Sequence, residues 1–231
     1  MIFRQLFESV SSTYTYILAD SDSREAVIID PVKEQVPQYL RLVEELNIKL
    51  IKGIDTHTHA DHITGLGELR DETGLISIIG EKTGAECISQ RVADGEMVDF
   101  GQHQLKALYT PGHTDDSFSF YINDPELQAV FTGDTLLIRG TGRTDFQQGD
   151  AYAQYDSLFN KLLKLPDETR VYPGHDYKGW MMSCIAEERD HNPRLQVDGP
   201  EAYADIMHNL NLPNPKMMDV AIPANLACGQ A

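Results

Sequence analysis

Four clusters of metal-binding side chains, each placed directly behind an apolar run, constrain this chain more than anything else in it. His57, His59, Asp61 and His62 form HxHxDH behind Leu50–Asp55 (LIKGID). His113 lies in Thr110-Pro-Gly-His-Thr114 behind His103–Tyr109, and Asp134 in Thr132-Gly-Asp-Thr135 behind Ala129–Thr132. His175 lies in Tyr172-Pro-Gly-His-Asp176 behind Arg170–Tyr172. Imidazole and carboxylate are ligands of borderline metals such as zinc and iron. The clusters call for a fold that brings four strand ends together, at the carboxyl edge where α/β sheets place their ligands. Loops anchored on rigid strands give coordination the positional accuracy it needs. No cysteine occurs in the clusters, which argues against a closed structural zinc site. A single histidine after a strand is ordinarily a hydrogen-bonded loop residue. Four clusters in order, three with an adjacent glycine, are not explained that way. His103, His191 and His208 lack such a setting and read as surface residues.

The rest of the pattern supplies those strands. Thr13–Asp20, Glu25–Asp30, Leu75–Gly80, Met97–Phe100 and Phe118–Ile122 read as further strands. Helices are expected over Glu34–Asn47, from Leu66 to a Gly74 C-cap, over Thr83–Arg91, over Tyr152–Leu165 and from about Gly179. This order predicts two similar halves, each a sheet with covering helices, stacked as an α/β sandwich. The tail from Pro200 reads as one short helix and a Pro/Asn-rich end, so residues 1–231 are expected to form a single domain with a short C-terminal helical extension.

A chain of 231 residues buries about 70% of its unfolded surface and needs no disulfide scaffold. Cys87, Cys184 and Cys228 are odd in number and scattered, so they read as free thiols of a reducing compartment. With 19 Lys+Arg against 36 Asp+Glu, the net charge of −17 repels phosphate backbones and anionic lipid. No stretch approaches the ~18 apolar residues that a membrane span requires, and the N-terminus has neither secretory nor transit character. Nucleic-acid and membrane roles are therefore not expected. The chain reads as cytoplasmic, of bacterial type, or as a mature protein of the mitochondrial matrix.

HxHxDH, the later PGHT, the GD and the final PGH together resemble the metallo-β-lactamase superfamily, which implies a four-layer αββα sandwich with metal at one sheet edge. In hydrolytic members, positions matching His57, His59, Asp61, His62, His113, Asp134 and His175 hold two metals. Five further segments narrow the resemblance: Thr56–Gly65, Gly140–Gly149 (GTGRTDFQQG), Tyr172–Gly179, Asn192–Leu195, and Leu212–Asn225 with its IPAN. Together they look like the glutathione persulfide dioxygenases, from about Thr13 to the C-terminus.

That resemblance implies one Fe(II) per chain, held by His57, His113 and Asp134. Two histidines and a carboxylate on one face are the triad of non-haem iron oxygenases. His59, Asp61, His62 and His175 would then hydrogen-bond around it. The implied reaction converts glutathione persulfide, O2 and water to glutathione and sulfite, a step in sulfide detoxification. An anionic substrate on so acidic a protein asks for local positive charge. Arg143 is the natural candidate, its fork matching a carboxylate, and Tyr177 can offer a hydroxyl. Two competing readings remain. One is a glyoxalase-II-type binuclear hydrolase of glutathione thioesters, disfavoured by the short tail and the GRTDFQQG loop. The other is a non-catalytic metal- or persulfide-binding protein, which would not need all seven candidate ligands. Monomer and homodimer are left open.

Overall fold

A computed structural model describes residues 1–213 and 217–229 of the chain. Its first sheet has six strands in chain order: β1 (Ile2–Glu8), β2 (Thr13–Ala19), β3 (Glu25–Ile29), β4 (Lys49–Ile54), β5 (Ile76–Gly80) and β6 (Gln90–Val92). β1 to β3 pair antiparallel, and β3 to β6 parallel. The second sheet takes β7 (Met97–Phe100), β8 (His103–Tyr109), β9 (Phe118–Asn123), β10 (Gln128–Gly133), β11 (Arg170–Pro173) and β12 (Ser183–Cys184), also in sequential spatial order. Its one parallel pair is β10 with β11.

Strand β2 (TYTYILA) is buried at every position. A strand reads this way when both sheet faces are covered. Its Tyr16 and Leu18 turn toward the other sheet, meeting a core that includes Phe118, Phe120, Phe131 and Tyr172. Ile17 and Ala19 turn outward against α1 (Val36–Leu46) and α2 (Leu66–Thr73), through Val36, Tyr39 and Leu69. On the outer face of the second sheet, Val130 and Val171 meet α3 (Ala151–Asp156), α4 (Ile185–His191) and α5 (Pro200–His208). The layers run helix, sheet, sheet, helix, as expected. Gly74 ends α2 in the left-handed region at φ 73°, the C-cap expected of it.

Several local expectations are corrected. Thr83–Arg91 is not a helix: it is a loop ending in β6. Its polar groups have other partners, since Thr83 Oγ1 accepts from the Ala85 amide and the Cys87 carbonyl accepts from Arg70. Helix α4 begins at Ile185 rather than near Gly179, because Asp176 accepts the Lys178 and Trp180 amides and holds that stretch as a turn. The Tyr152–Leu165 helix divides, α3 widening into a π-type turn over Ser157–Lys161 and a tight 3-10 turn over Leu162–Lys164. The tail holds two helices, α5 and α6 (Met218–Leu226), rather than one. Of the tail segment singled out above, Asn214, Pro215 and Lys216 lie outside the described residues. β1, a half-exposed edge strand, was not anticipated. The reading of three free thiols is also wrong. Cys87 and Cys228 form a disulfide, their Cα atoms brought to 6.0 Å by the docking of the tail on the Thr83–Arg91 loop, and Cys184 alone is free.

Candidate metal centre

Strands β4, β8, β10 and β11 deliver their following loops to one edge of the sandwich, and the four clusters meet there. Facing ligand atoms of His57, His113 and Asp134 all lie within 4.8 Å of one another. The His57 and His113 rings stand edge to face at 5.0 Å, and His113 Nε2 is 3.6 Å from Asp134 Oδ2. Close backbone approach makes this possible. Gly133 sits at φ 50°, where a Cβ would meet Thr56 Oγ1 at 2.5 Å. At Gly142 a Cβ would meet the Asp134 carbonyl at 2.3 Å and His113 Nδ1 at 2.7 Å, so only glycine lets the GRTDF loop pass beside the site.

Both imidazoles are aimed by their second nitrogen. His113 Nδ1 donates to the Arg143 carbonyl at 2.7 Å, which leaves Nε2 as the bare nitrogen toward Asp134. Thr56 Oγ1 donates to Asp30 Oδ2 at 3.0 Å and so accepts from His57 Nδ1, also at 3.0 Å. Burial, and then the neighbouring His59 and His113, push His57 well below the usual imidazole range. A neutral ring is the form that binds metal. Asp134 is only partly exposed, and this desolvation opposes its charge, yet His175 beside it holds the carboxyl well below its ordinary value.

His59, Asp61 and His62 form a second group with ligand atoms within 4.8 Å of one another. They are differently engaged. Asp61 Oδ2 takes His175 Nε2 at 2.7 Å, His62 Nδ1 at 2.9 Å and the Thr13 hydroxyl at 3.2 Å. His175 Nδ1 meets Asp134 Oδ1 at 2.7 Å, so its ring joins the two groups. Although burial disfavours its charge, those two carboxylates hold His175 well above its ordinary value. His59 Nε2 faces Asp30 Oδ1 at 3.1 Å, and against the cost of burial Asp30 raises it to about 9. His59 Nδ1 and His62 Nε2 are buried without hydrogen-bond partners. Orphaned imidazole nitrogens beside a carboxylate, next to a bare two-histidine, one-carboxylate face, are the donor set a metal-binding edge requires.

The sequence reading missed several residues that build this edge. Asp30, at the end of β3, accepts the Thr56 amide and hydroxyl and pairs with His59. Asp116 takes the Thr58 amide and hydroxyl and the Thr114 hydroxyl, tying the HxHxDH loop to the PGHT loop. Gln147 Nε2 donates to the Thr58 carbonyl at 2.6 Å. The only available signal was an acidic residue closing an apolar strand, as in EAVIID.

Arg143 is engaged within the chain. Its fork is not open: Nε and Nη2 hold Asp145 at 2.6 and 2.8 Å, and Nη1 donates to the Pro213 carbonyl at 2.7 Å. Its guanidinium also lies 4.3 Å over the Phe146 ring. Its charge is already compensated, and it touches the centre through its carbonyl on His113. Tyr177 is 71% exposed and stacks parallel to the His175 ring at 6.1 Å, at the mouth of the site. His191 and His208 are exposed as expected, whereas His103 is half-buried against Asp124 at 2.7 Å.

Comparison with known proteins follows the same lines. The model of the metallo-beta-lactamase superfamily matches residues 9–175. The human protein called persulfide dioxygenase ETHE1, mitochondrial, is 47% identical over 230 residues, covering 99% of this chain and 89% of its own. The crystal structure of ETHE1 from Myxococcus xanthus superposes with a TM-score of 0.95 at 55% identity, covering 99% of this chain and 100% of that one. A probable hydroxyacylglutathione hydrolase of Schizosaccharomyces pombe is 33% identical over 174 residues, 74% of this chain and 67% of its own.

Proposed function

Because the chain belongs to the metallo-beta-lactamase superfamily, and within it to the persulfide dioxygenase family, we propose that it oxidises glutathione persulfide with O2 and water to glutathione and sulfite, at one Fe(II) per chain. The observation that carries this reading is the bare face of His57, His113 and Asp134, set inside a chain 47% identical to a persulfide dioxygenase. His57, His113 and Asp134 would hold the iron, which would supply the redox chemistry between the persulfide sulfur and dioxygen.

The chain's own residues set the conditions. His57 and His113 are aimed by Thr56 and by the Arg143 carbonyl. His175, between Asp134 and Asp61, orients the carboxylate ligand and holds a proton at Nδ1. What supports a single metal is the state of the second group. Asp61 Oδ2 already takes His175, His62 and Thr13, and His59 Nε2 is taken up by Asp30, so a second metal would have to compete with those bonds for the carboxylate even though His59 Nδ1 and His62 Nε2 have no partners. Tyr177, exposed beside His175, is placed to offer its hydroxyl to an entering substrate. The whole chain acts as one such unit with its helical tail docked. Cytoplasm or mitochondrial matrix is the proposed compartment, since the human and mouse relatives are named as mitochondrial.

The test joins metal analysis of protein purified without added metal to oxygen uptake on glutathione persulfide. One iron per chain with stoichiometric sulfite release is expected, with negligible hydrolysis of S-lactoylglutathione. Two metals per chain with thioester hydrolysis and no oxygen uptake would move the chain to the hydrolase branch, whose relative it matches over only 67% of that protein's length.

A further inference from the structure

The last helix reaches into the metal-binding loop in a way that metal coordination does not require. Asn225 on α6 is 7% exposed and inserts against the HxHxDH segment. Its Nδ2 donates to the carbonyls of His59 and His62, both at 2.9 Å, and its Oδ1 accepts from the Thr64 amide at 2.8 Å. Both amide hydrogens and the oxygen are thus used. The reversed amide would set oxygen against two carbonyls, so the network dictates its orientation. These partners bracket the turn that carries Asp61 and His62 and follows directly on His57. The turn is also held by Asp116 on the Thr58 amide and Gln147 on the Thr58 carbonyl, and through the backbone by the Lys33 amide on the Ile63 carbonyl.

Asn225 is not held by its helix alone. α6 has nine residues and contains Pro223, too short and too interrupted to be stable by itself. Three ties seat it. Cys228, three residues on, is bonded to Cys87 across 141 residues of chain. Lys33 Nζ donates to the Gly229 carbonyl. Gly229 lies so close to the loop that a Cβ there would meet the Thr64 carbonyl at 2.2 Å. The disulfide is the one covalent tie among them, and it joins the tail to the Thr83–Arg91 loop rather than to the metal loop itself.

We propose that Asn225 is a positioning residue for the metal-binding loop and that the Cys87–Cys228 disulfide keeps it seated, so that the hold of the site on its metal depends on the redox state of this pair. The inference rests on the metal-binding reading of the site and not on the identity of the persulfide. Opening the tether is ordinary disulfide chemistry. A phosphine attacks one sulfur, the S–S bond breaks, and water gives its oxygen to phosphorus and its protons to the two thiolates, leaving Cys87 and Cys228 as thiols and the phosphine as its oxide.

The test uses full-length protein loaded with cobalt(II), whose visible spectrum reports ligand geometry, and follows cobalt release to a chelator. Asn225→Asp keeps the size and the acceptor but sets an oxygen against two carbonyls, and it is expected to release cobalt at least ~10-fold faster with an altered spectrum, the scale of lost outer-shell support. Reduction of the wild type with tris(carboxyethyl)phosphine, or the double variant Cys87→Ser/Cys228→Ser, is expected to speed release by about 3-fold. If the tether acts through the asparagine, reduction adds nothing to Asn225→Asp, a non-additivity that a general loss of stability does not produce. Unchanged release and spectrum in folded Asn225→Asp would overturn the proposal. So would reduction that speeds release equally with and without Asn225. Should Asn225→Asp fail to fold, the reduced wild type and the cysteine double variant still decide: unchanged release in both overturns the tether. Wild type that takes up no cobalt overturns the metal reading itself, an outcome distinct from the others.

Discussion

Two groups of histidines and carboxylates lie side by side at this sheet edge, each with ligand atoms within 4.8 Å, yet they are prepared for different work. In the first, His57, His113 and Asp134 hydrogen-bond outward, to Thr56, to the Arg143 carbonyl and to His175, and leave their inner atoms bare. In the second, Asp61 Oδ2 is bonded to His62 and His175 and His59 Nε2 to Asp30, while His59 Nδ1 and His62 Nε2 have no partner. A metal in the second group would have to share Asp61 with its hydrogen-bond partners, and the proposal of a single metal rests on this difference. What distinguishes the two is where the hydrogen bonds of each side chain go.

The largest expected effect falls on the first group. His57→Ala, His113→Ala and Asp134→Ala should each remove metal and lower oxygen uptake by at least ~1000-fold, since a three-ligand face loses its geometry with any one absent. Metal content and oxygen consumption measured together check this. A variant that keeps a full equivalent of metal would erase the distinction between the groups.

Next in size is Asp30→Asn. It removes the acceptor that holds Thr56, and through it His57, so metal affinity should fall 10- to 100-fold. The same change has a pH signature in metal-free protein. His59 is raised from about 6.5 to about 9 by Asp30, despite burial. Its contribution to stability is complete below about pH 6.5 and is lost as pH rises through about 9. Denaturation midpoints of the wild type should fall across that window, and those of Asp30→Asn should fall less. A parallel decline in both would show that His59 is not the group responsible.

His175→Ala should cost less. It frees Asp134 Oδ1 and removes one of the three contacts of Asp61 Oδ2 without touching the triad's bare atoms, so most of the metal should stay while kcat falls by about 10-fold. Loss of one equivalent from a total of two metals would instead show that the second group binds metal after all.

The seven motif residues and the four layers were readable because they depend on local order: an apolar run, then a turn, then a ligand. Strand β2 shows its buried faces in its own composition, and Gly74 marks its own helix end. The residues that separate the two groups have no such local mark. Asp30 acts on Thr56 across 26 positions, Asp116 on Thr58 across 58, and Asn225 on His59 across 166. The IPAN segment stood out as a motif, but its reach into the histidine loop is a product of tertiary docking. The same docking joined Cys87 to Cys228 and denied the Thr83–Arg91 segment the helix its composition suggested.

Arg143 gives the smallest expected effect and the sharpest test of how the first group is supported. The sequence suggested a free cation clamping an anionic substrate, whereas the structure spends its fork on Asp145 and its carbonyl on His113. Asp145 is 52% exposed, so the pair is worth no more than a solvent-screened surface ion pair, roughly 0.2–1 kcal/mol. Arg143→Ala should keep its metal, lower the melting temperature slightly and reduce kcat by less than about 5-fold, because the carbonyl that aims His113 belongs to the backbone. The decisive comparison is of substrates. If the side chain only braces its loop, KM should change by the same factor for glutathione persulfide and for a small uncharged persulfide. A rise confined to glutathione persulfide would mean that the fork leaves Asp145 for a substrate carboxylate, and the clamp would be restored. Arg143→Lys separates the cases further. A lysine keeps the charge but not the two-point grip on Asp145, so under the bracing role it should resemble the alanine variant in stability.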